Sequence, residues 1–222
     1  MKKDMMRFAL VLGVISVVTA LGVAGVYQFT RGRTLQKEKA AFDTALGAIF
    51  PDAVAFDKLG VTDGSGAPVP WEGRDGVGVA HSQSSVLGYL AVGEKQGYSS
   101  KIKVLVACDT GFRIKAVRIL YAAETPGLGE RAKEVKSDRT IWQALGLASK
   151  SNEPGSVEPW FQAQFAGKTL DQLVVVKEKT DTNIQAITAA TITSKAVNDA
   201  VKLALDQIKN AVPPSSNPEG AR

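Results

Sequence analysis

The chain has 222 residues, of which 45% are hydrophobic, and this length allows one sizeable domain with extensions. Its formal net charge is +5, and its lysines and arginines are scattered rather than interleaved with aromatics, which argues against nucleic-acid binding. The single cysteine, Cys108, excludes an intrachain disulfide framework and a multi-cysteine metal site, and the single histidine, His81, argues against a histidine-based metal site or triad.

An apolar segment without formal charge, residues 8–29, follows a short basic N-terminus of residues 1–7. Its length suits one transmembrane helix. A cleaved signal peptide is the alternative, because Lys2-Lys3 resembles a basic leader and small residues lie between Ala20 and Ala24. The apolar run is long for a signal peptide, so we expect a retained anchor. Positive charges on its two sides nearly balance and do not set its orientation.

The segment between the anchor and the first clear strands, residues 30–78, is expected to form a stalk helix and a connection. Residues 34–50 have a helical pattern that Pro51 ends. This helix either continues from the membrane or is the first helix of the domain. Residues 60–78 are rich in glycine, proline and aspartate, which is typical of an irregular connection.

A β region follows. Residues 86–92 and 102–107 are apolar enough to form strands, and the second of these is expected to be buried on both faces. The turn residues 109–111 separate the second strand from a third at 112–120. Residues 101–120 therefore predict a β-hairpin.

A loop with proline and paired glycines, Glu124-Thr125-Pro126-Gly127-Leu128-Gly129, comes next. Its glycines permit the backbone to approach a ligand closely, although most loops of this composition are ordinary turns. Residues 130–147 are predicted to be helical. The aromatic residues that follow, Trp160, Phe161 and Phe165, are expected to pack in the core.

The C-terminal part combines a buried strand, residues 173–176, with a hydroxyl-rich turn that opens a helix at residues 187–197. The helix has an apolar face at three- and four-residue spacing, made of Val197, Ala200, Val201, Ala204 and Ile208. A helix start with free N–H groups is a favourable place for a phosphate, although its hydroxyls also serve as plain caps. Residues 213–222 are small and polar and predict a disordered tail.

Two of these strings resemble one known family. The segment Thr188-Ala189-Ala190-Thr191 resembles the Ser/Thr-Gly-Ala-Thr segment of FMN-binding subunits in Rnf-type electron-transport complexes and in the sodium-pumping NADH:quinone reductase. The loop 124–129 is identical to the corresponding family string. Residues 97–100 and the segment from Trp160 to Lys168 are also similar to family segments.

The resemblance implies a covalent cofactor. In the family, the flavin phosphate is esterified to the last threonine of the segment, which here is Thr191. The resemblance also implies a role in cofactor binding for neighbouring hydroxyls and for the loop that lies against the flavin ring: Thr188, Thr193, Glu124, Thr125, Leu128 and Gly129.

The chain departs from the family pattern at two positions. Ala189 stands where the family usually has glycine, and Gln185 stands where it usually has an acidic residue. If the glycine has a positive φ, alanine costs roughly 1–2 kcal/mol there. The alternative is therefore a membrane-anchored assembly subunit of the same fold without covalent flavin.

The fold class that the resemblance implies is α+β. It is an FMN-binding domain with an antiparallel sheet and flanking helices, residues 79–212, on a single N-terminal transmembrane helix. The implied function is electron relay within a membrane complex that couples ferredoxin or NADH oxidation to ion transport. The implied partners are other membrane subunits, a flavin transferase and the lipid bilayer, with the domain on the extracytoplasmic side of the cell membrane. An anchored module for a non-flavin ligand is a further alternative that no motif favours.

Overall fold

The structure is a computed structural model that describes residues 2–63, 65–73, 75–135 and 159–212. Its contacts divide the chain into two units, Met1–Thr44 and Ala45–Arg222. The first helix, α1, spans Lys2–Ile49. Within it, Met6–Phe29 has a mean hydropathy of 2.4 and is long and apolar enough to cross a membrane, a test that a signal sequence also passes.

A six-stranded antiparallel sheet forms the centre of the second unit, in the order β2-β1-β3-β4-β5-β6. Its strands are β1 (Ala55–Thr62), β2 (Pro68–Pro70), β3 (Val77–His81), β4 (Val86–Gln96), β5 (Lys101–Cys108) and β6 (Ile114–Tyr121). The predicted hairpin is confirmed as β5 and β6. Burial on both faces is confirmed for the part of β5 from Val104 to Cys108.

The irregular connection expected at residues 60–78 is wrong in part, because β1 ends in it, β2 lies within it and β3 begins in it. Residues 60–78 are rich in glycine and proline, so their sequence does not predict strands. β2 is an edge strand of the sheet, where proline is tolerated. The boundary predicted at residue 79 divides the sheet, since β1 pairs with β3 along Ala55–Lys58. The sheet therefore draws on residues on both sides of that boundary.

The long C-terminal helix, α3 (Thr191–Ala211), packs on β4 and β5. All five predicted apolar-face residues, Val197, Ala200, Val201, Ala204 and Ile208, are buried. The helix approaches the sheet closely at Gly93, where an added Cβ would lie 1.9 Å from the carbonyl oxygen of Ala200. A glycine in β4 thus lets the helix backbone rest on the strand.

Shorter elements complete the described part: a 3₁₀ turn at Gly129–Lys133, helix α2 (Trp160–Ala163), a 3₁₀ turn at Leu170–Gln172, and the parallel pair β7 (Val175–Val176) and β8 (Ile184–Gln185). Core packing of the aromatics is confirmed for Phe161 and Phe165, which are fully buried. The strand predicted at 173–176 is reduced to the two residues of β7. Most of the helix predicted at 130–147, and the predicted tail at 213–222, lie outside the described residues.

Candidate cofactor site

A tight turn precedes α3. The amide of Ala190 donates to the carbonyl oxygen of Ile187 at 3.0 Å, which closes a β-turn over residues 187–190. Its third residue, Ala189, has φ of +62°. A positive φ at this position is the feature of a type II turn, which favours glycine. The alanine therefore occupies a conformation that is strained for a residue with a Cβ.

The helix that follows the turn is not capped by a side chain. Its N-cap residue is Ala190, which makes no side-chain hydrogen bond to the first turn. The first amides of a helix have no intrahelical acceptor, and the helix dipole places positive charge beside them. The start of α3 therefore offers backbone donors to an anion, as a phosphate site requires.

The four hydroxyls around this turn fall into two classes. Ser194 and Thr193 are fully or almost fully buried and use their hydroxyls within the protein. Ser194 Oγ donates to the carbonyl oxygen of Ala190 and accepts from the amide of Ile187, both at 2.9 Å. Thr193 Oγ1 donates to Glu124 Oε2 at 2.6 Å.

The other two hydroxyls, those of Thr188 and Thr191, have no hydrogen-bond partner among the described residues. They differ in position. Thr188 is exposed and lies outside the cavity lining, whereas Thr191 is half-buried and lines the cavity. Of the four hydroxyl residues, Thr191 is therefore the one that lines the cavity and has no hydrogen-bond partner among the described residues.

The loop 124–129 contains a second tight turn. The amide of Leu128 donates to the carbonyl oxygen of Thr125 at 3.2 Å, and Gly127, at the third position, has φ of +74°. Pro126 occupies the second position, where its fixed φ suits a type II turn. Thr125 is half-buried and Leu128 is 41% exposed.

The carboxylate of Glu124 is 7% exposed and binds three consecutive amides. Oε1 accepts from Ser99 and Ser100, both at 3.1 Å, and Oε2 accepts from Tyr98 at 3.2 Å and from the Thr193 hydroxyl. Burial opposes the charged form, but the hydrogen bonds from Thr193, Ser100, Ser99 and Tyr98 outweigh it and hold the pKa of Glu124 below its usual value. The group is therefore ionised at neutral pH.

A cavity of about 480 Å³ lies between the two turns, within the usual size range of ligand pockets. Its described lining consists of Tyr98, Glu124, Thr125, Leu128, Gly129, Ala189, Ala190, Thr191, Ile192 and Thr193. The structure thus brings together every sequence-predicted site residue except Thr188. The described lining is mostly neutral, with uncapped helix amides at one side, and this fits a planar cofactor that carries a phosphate.

Sequence reasoning did not assign four residues of the lining to the site, Tyr98, Ala189, Ala190 and Ile192. Tyr98 and Ile192 are 68% and 57% exposed, so they form the apolar rim of the cavity. The signal for Tyr98 was present, since residues 97–100 also resemble a family segment. Among the described residues, no group of three or more histidine, cysteine, aspartate or glutamate side chains is placed to hold a metal ion.

Two family models match the chain. Residues 97–206, which contain both turns and most of α3, match the FMN-binding domain. Residues 1–49 match the RnfG N-terminal region. The sheet, the cavity and these matches define an FMN-binding domain that follows an N-terminal helical region.

Related proteins align with most of the chain. The G subunit of the proton-translocating ferredoxin:NAD(+) oxidoreductase complex from Clostridium ljungdahlii is 30% identical over 192 residues, which are 86% of this chain and 84% of that protein. The G subunit of the Na(+)-translocating complex from Acetobacterium woodii is 29% identical over 219 residues, 94% of this chain and 93% of that protein. The chain belongs to the family of G subunits of ion-translocating ferredoxin:NAD(+) oxidoreductase complexes.

The chain is also similar to one solved structure, that of NqrC from Shewanella oneidensis. The match has a TM-score of 0.40 and 20% sequence identity, and it covers 68% of this chain and 65% of that one.

Proposed function

We propose that the chain is the electron-relay subunit of a membrane-bound, ion-translocating ferredoxin/NAD(H) oxidoreductase complex, and that it carries FMN through a phosphoester to Thr191. Membership of the G-subunit family and the match to the FMN-binding domain support the general function. Other subunits of the complex and a flavin transferase are the partners that this function requires.

The assignment of Thr191 as the attachment residue rests on which of the four hydroxyls near the start of α3 are already hydrogen-bonded within the protein. Thr193 and Ser194 are buried and donate to oxygens of the protein, so neither is free to act as an acceptor. Neither Thr188 nor Thr191 has a hydrogen-bond partner in the described part of the chain, but Thr188 is exposed outside the cavity lining while Thr191 lines the cavity. Thr191 also begins α3, where backbone amides and the helix dipole stabilise a phosphodiester anion.

The attachment forms one bond between Thr191 Oγ1 and the phosphorus of FMN, and the threonine loses its hydroxyl proton. No electron is transferred in this step. A free phosphate monoester is a poor electrophile, so the transferase must use an activated donor in which the FMN phosphate is part of an anhydride. The anhydride bond then breaks, and its other phosphate leaves with the negative charge.

The bound flavin would supply the redox chemistry, and the chain supplies its position. The apolar side chains of Leu128 and Ile192 and the ring of Tyr98 offer surfaces for the isoalloxazine at the mouth of the cavity. Gly129 and Thr125 also line the cavity. These residues would hold the ring near the surface, where an electron-transfer partner can approach it.

Flavin fluorescence in a denaturing gel tests the covalent assignment. The full chain is produced together with a flavin transferase, as wild type, Thr191→Ala, Thr191→Ser and Thr188→Ala. We expect a fluorescent band for wild type and Thr188→Ala, complete loss for Thr191→Ala, and partial or full retention for Thr191→Ser, because a hydroxyl is required. Thr191 is the first residue of α3 and not its N-cap, and its hydroxyl makes no hydrogen bond to the described residues, so Thr191→Ala should still fold. A fluorescent Thr191→Ala would refute the assignment.

The second candidate function is an assembly subunit of the same complex without covalent flavin. The strained Ala189 and the neutral Gln185 favour it, because both depart from the family pattern at the modified turn. A wild-type chain that stays non-fluorescent after production with the transferase would select this function.

We also propose that Met6–Phe29 anchors the chain in the cell membrane, with the domain on the extracytoplasmic side. The length and apolarity of this part of α1 support the proposal. N-terminal sequencing of the mature protein should give the first residues of the chain. A sequence that begins near residue 25 would instead show a cleaved signal peptide.

A further inference from the structure

We propose that Glu124 is a positioning residue that connects the 98–100 segment to the first turn of α3 and thereby fixes the acceptor hydroxyl of Thr191. This inference rests on the proposed function only for the identity of the acceptor. It differs from the expectation that Glu124 contacts the flavin ring, because its carboxylate is already used within the protein.

The hydrogen-bond count at the carboxylate is high. Four donors reach its two oxygens at 2.6–3.2 Å: the amides of residues 98, 99 and 100 and the Thr193 hydroxyl. The Ser100 hydroxyl also approaches Oε1, at 3.5 Å. A carboxylate has about four lone-pair sites, so these donors occupy its accepting capacity. Little of it is left for a ligand.

Two glycines approach the Glu124 side chain and its partner Thr193 closely. A Cβ added to Gly97 would lie 2.6 Å from Glu124 Oε1, and one added to Gly129 would lie 2.6 Å from Thr193 Oγ1 and 2.9 Å from Glu124 Cβ. Glycines on both sides therefore allow the carboxylate and the hydroxyl to meet. Three separate segments of the chain converge at this contact.

The contact reaches Thr191 through the helix. Thr193 is two residues further along the same first turn, and its hydroxyl is held by Glu124. On the other side, Ser194 holds the 187–190 turn through the amide of Ile187 and the carbonyl of Ala190. Thr191 lies between these two attachments, so its backbone cannot move far without breaking one of them. Glu124 acts on the acceptor through Thr193 and not by touching it.

The test uses the full chain in detergent, with Glu124→Gln, Thr193→Val, the double variant and Thr193→Ser. Glutamine has one acceptor oxygen and an NH₂ group, so it cannot accept from donors on both sides. Thr193→Val removes the hydroxyl with little change in shape, and Thr193→Ser keeps it. Hydrogen exchange of the chain without flavin is followed by mass spectrometry for peptides covering residues 97–100 and the start of α3, with β5 as the internal reference for a folded core. The initial rate of flavin transfer is measured in parallel.

Glu124→Gln should raise amide exchange in the 97–100 peptide by roughly tenfold or more, the effect of losing about 1.4 kcal/mol of protection, while β5 remains the most slowly exchanging of these peptides, as expected for a folded core. It should also lower the maximal transfer rate at least tenfold and leave the chain concentration for half-maximal rate unchanged. Thr193→Ser should transfer flavin at close to the wild-type rate. The double variant should transfer no more slowly than the worse single variant, because both remove one contact.

Wild-type exchange at 97–100 in Glu124→Gln would overturn the proposal, as would additive effects on transfer in the double variant. Loss of transfer in Thr193→Ser to the level of Thr193→Val would also overturn it. The exchange measurement needs no flavin. It therefore decides the role of Glu124 even if wild-type chain accepts no flavin, an outcome that would refute the proposed attachment alone.

Discussion

Two turns of similar geometry face each other across the cavity. Thr125–Leu128 and Ile187–Ala190 are each closed by a hydrogen bond from the fourth residue to the first, and each has a positive φ at its third residue. The first turn places Gly127 at that position and the second places Ala189. The loop that is expected to lie against the ring is therefore relaxed, while the turn before the acceptor helix is strained.

The difference between the two turns shows which contacts hold the site in one conformation. The strained turn keeps its shape because Ser194 binds both of its ends and because α3 packs on the sheet. Strain of this kind persists only where the surroundings determine the conformation. Buried side-chain hydrogen bonds therefore order the site: Ser194 binds both ends of the second turn, and Glu124, directly before the first turn, accepts from residues 98–100 and from Thr193.

The largest expected change in stability comes from removing the charge of Glu124, which directly precedes the first turn. Glu124→Gln should destabilise the domain at pH 7 by about 1.5–3 kcal/mol, the range for a hydrogen bond to a charged group. Because the pKa of Glu124 is lowered on folding, its contribution is fully present above the unfolded pKa of about 4.3 and is lost as pH falls through the folded pKa. The difference between wild type and variant should therefore shrink on acidification below about pH 4.

Denaturant unfolding at several pH values measures this difference. The matched control is Glu94→Gln, which removes exposed ion pairs to Lys101 at 3.0 Å and Lys103 at 3.8 Å. Exposed pairs contribute about 0–1 kcal/mol, so the control should have little effect. Equal effects of the two substitutions would contradict the role of Glu124.

A second prediction concerns the space between the two turns. Gly129→Ala should destabilise the domain by about 1–3 kcal/mol, because its Cβ would displace the Thr193 hydroxyl or Glu124 from a filled contact. Gly111→Ala is the control, since a Cβ there meets only Asp109 Oδ1 at 3.4 Å. Thermal unfolding of both variants measures this difference. If the Gly129→Ala chain were as stable as the Gly111→Ala chain, the contact between Glu124 and Thr193 would accommodate the added methyl group and the prediction would be wrong.

The smallest expected effect compares the two turns directly. Ala189→Gly should stabilise the chain and Gly127→Ala should destabilise it, each by about 1 kcal/mol after allowance for the unfolded state. An added Cβ at Gly127 meets no atom within 4 Å, so its cost is conformational alone. Ala189→Gly should also raise the rate of flavin transfer. Stability changes of the same sign in both variants would contradict the assigned strain.

The elements that sequence predicts best are those with long, regular patterns. The β5–β6 hairpin and α3 are confirmed because alternating or helical apolar spacing extends over many residues. β2 is not predicted because residues 60–78 are rich in glycine and proline, and β1 is not predicted because it is defined by tertiary contacts, its pairing with β2 on one side and with β3 on the other. The two-residue β7 is too short for its pattern to define its ends.

At the site, the sequence identifies the two turns but does not show which side chains near them form hydrogen bonds within the protein. Ala189 is expected to be strained if φ is positive there, and the φ of +62° confirms that condition. The role of Glu124 could not be predicted, because its partner Thr193 lies 69 residues away in sequence. Composition likewise does not show which of several neighbouring hydroxyls is buried and which is free.

Mapping of the flavin-modified peptide tests the central claim most directly. Full-length chain made with a flavin transferase is digested, and the fluorescent peptide is fragmented by mass spectrometry. We predict one modified residue, Thr191, with a mass increase equal to FMN less one water. Modification at Thr188 or Thr193, or an intact mass without flavin, would contradict the account.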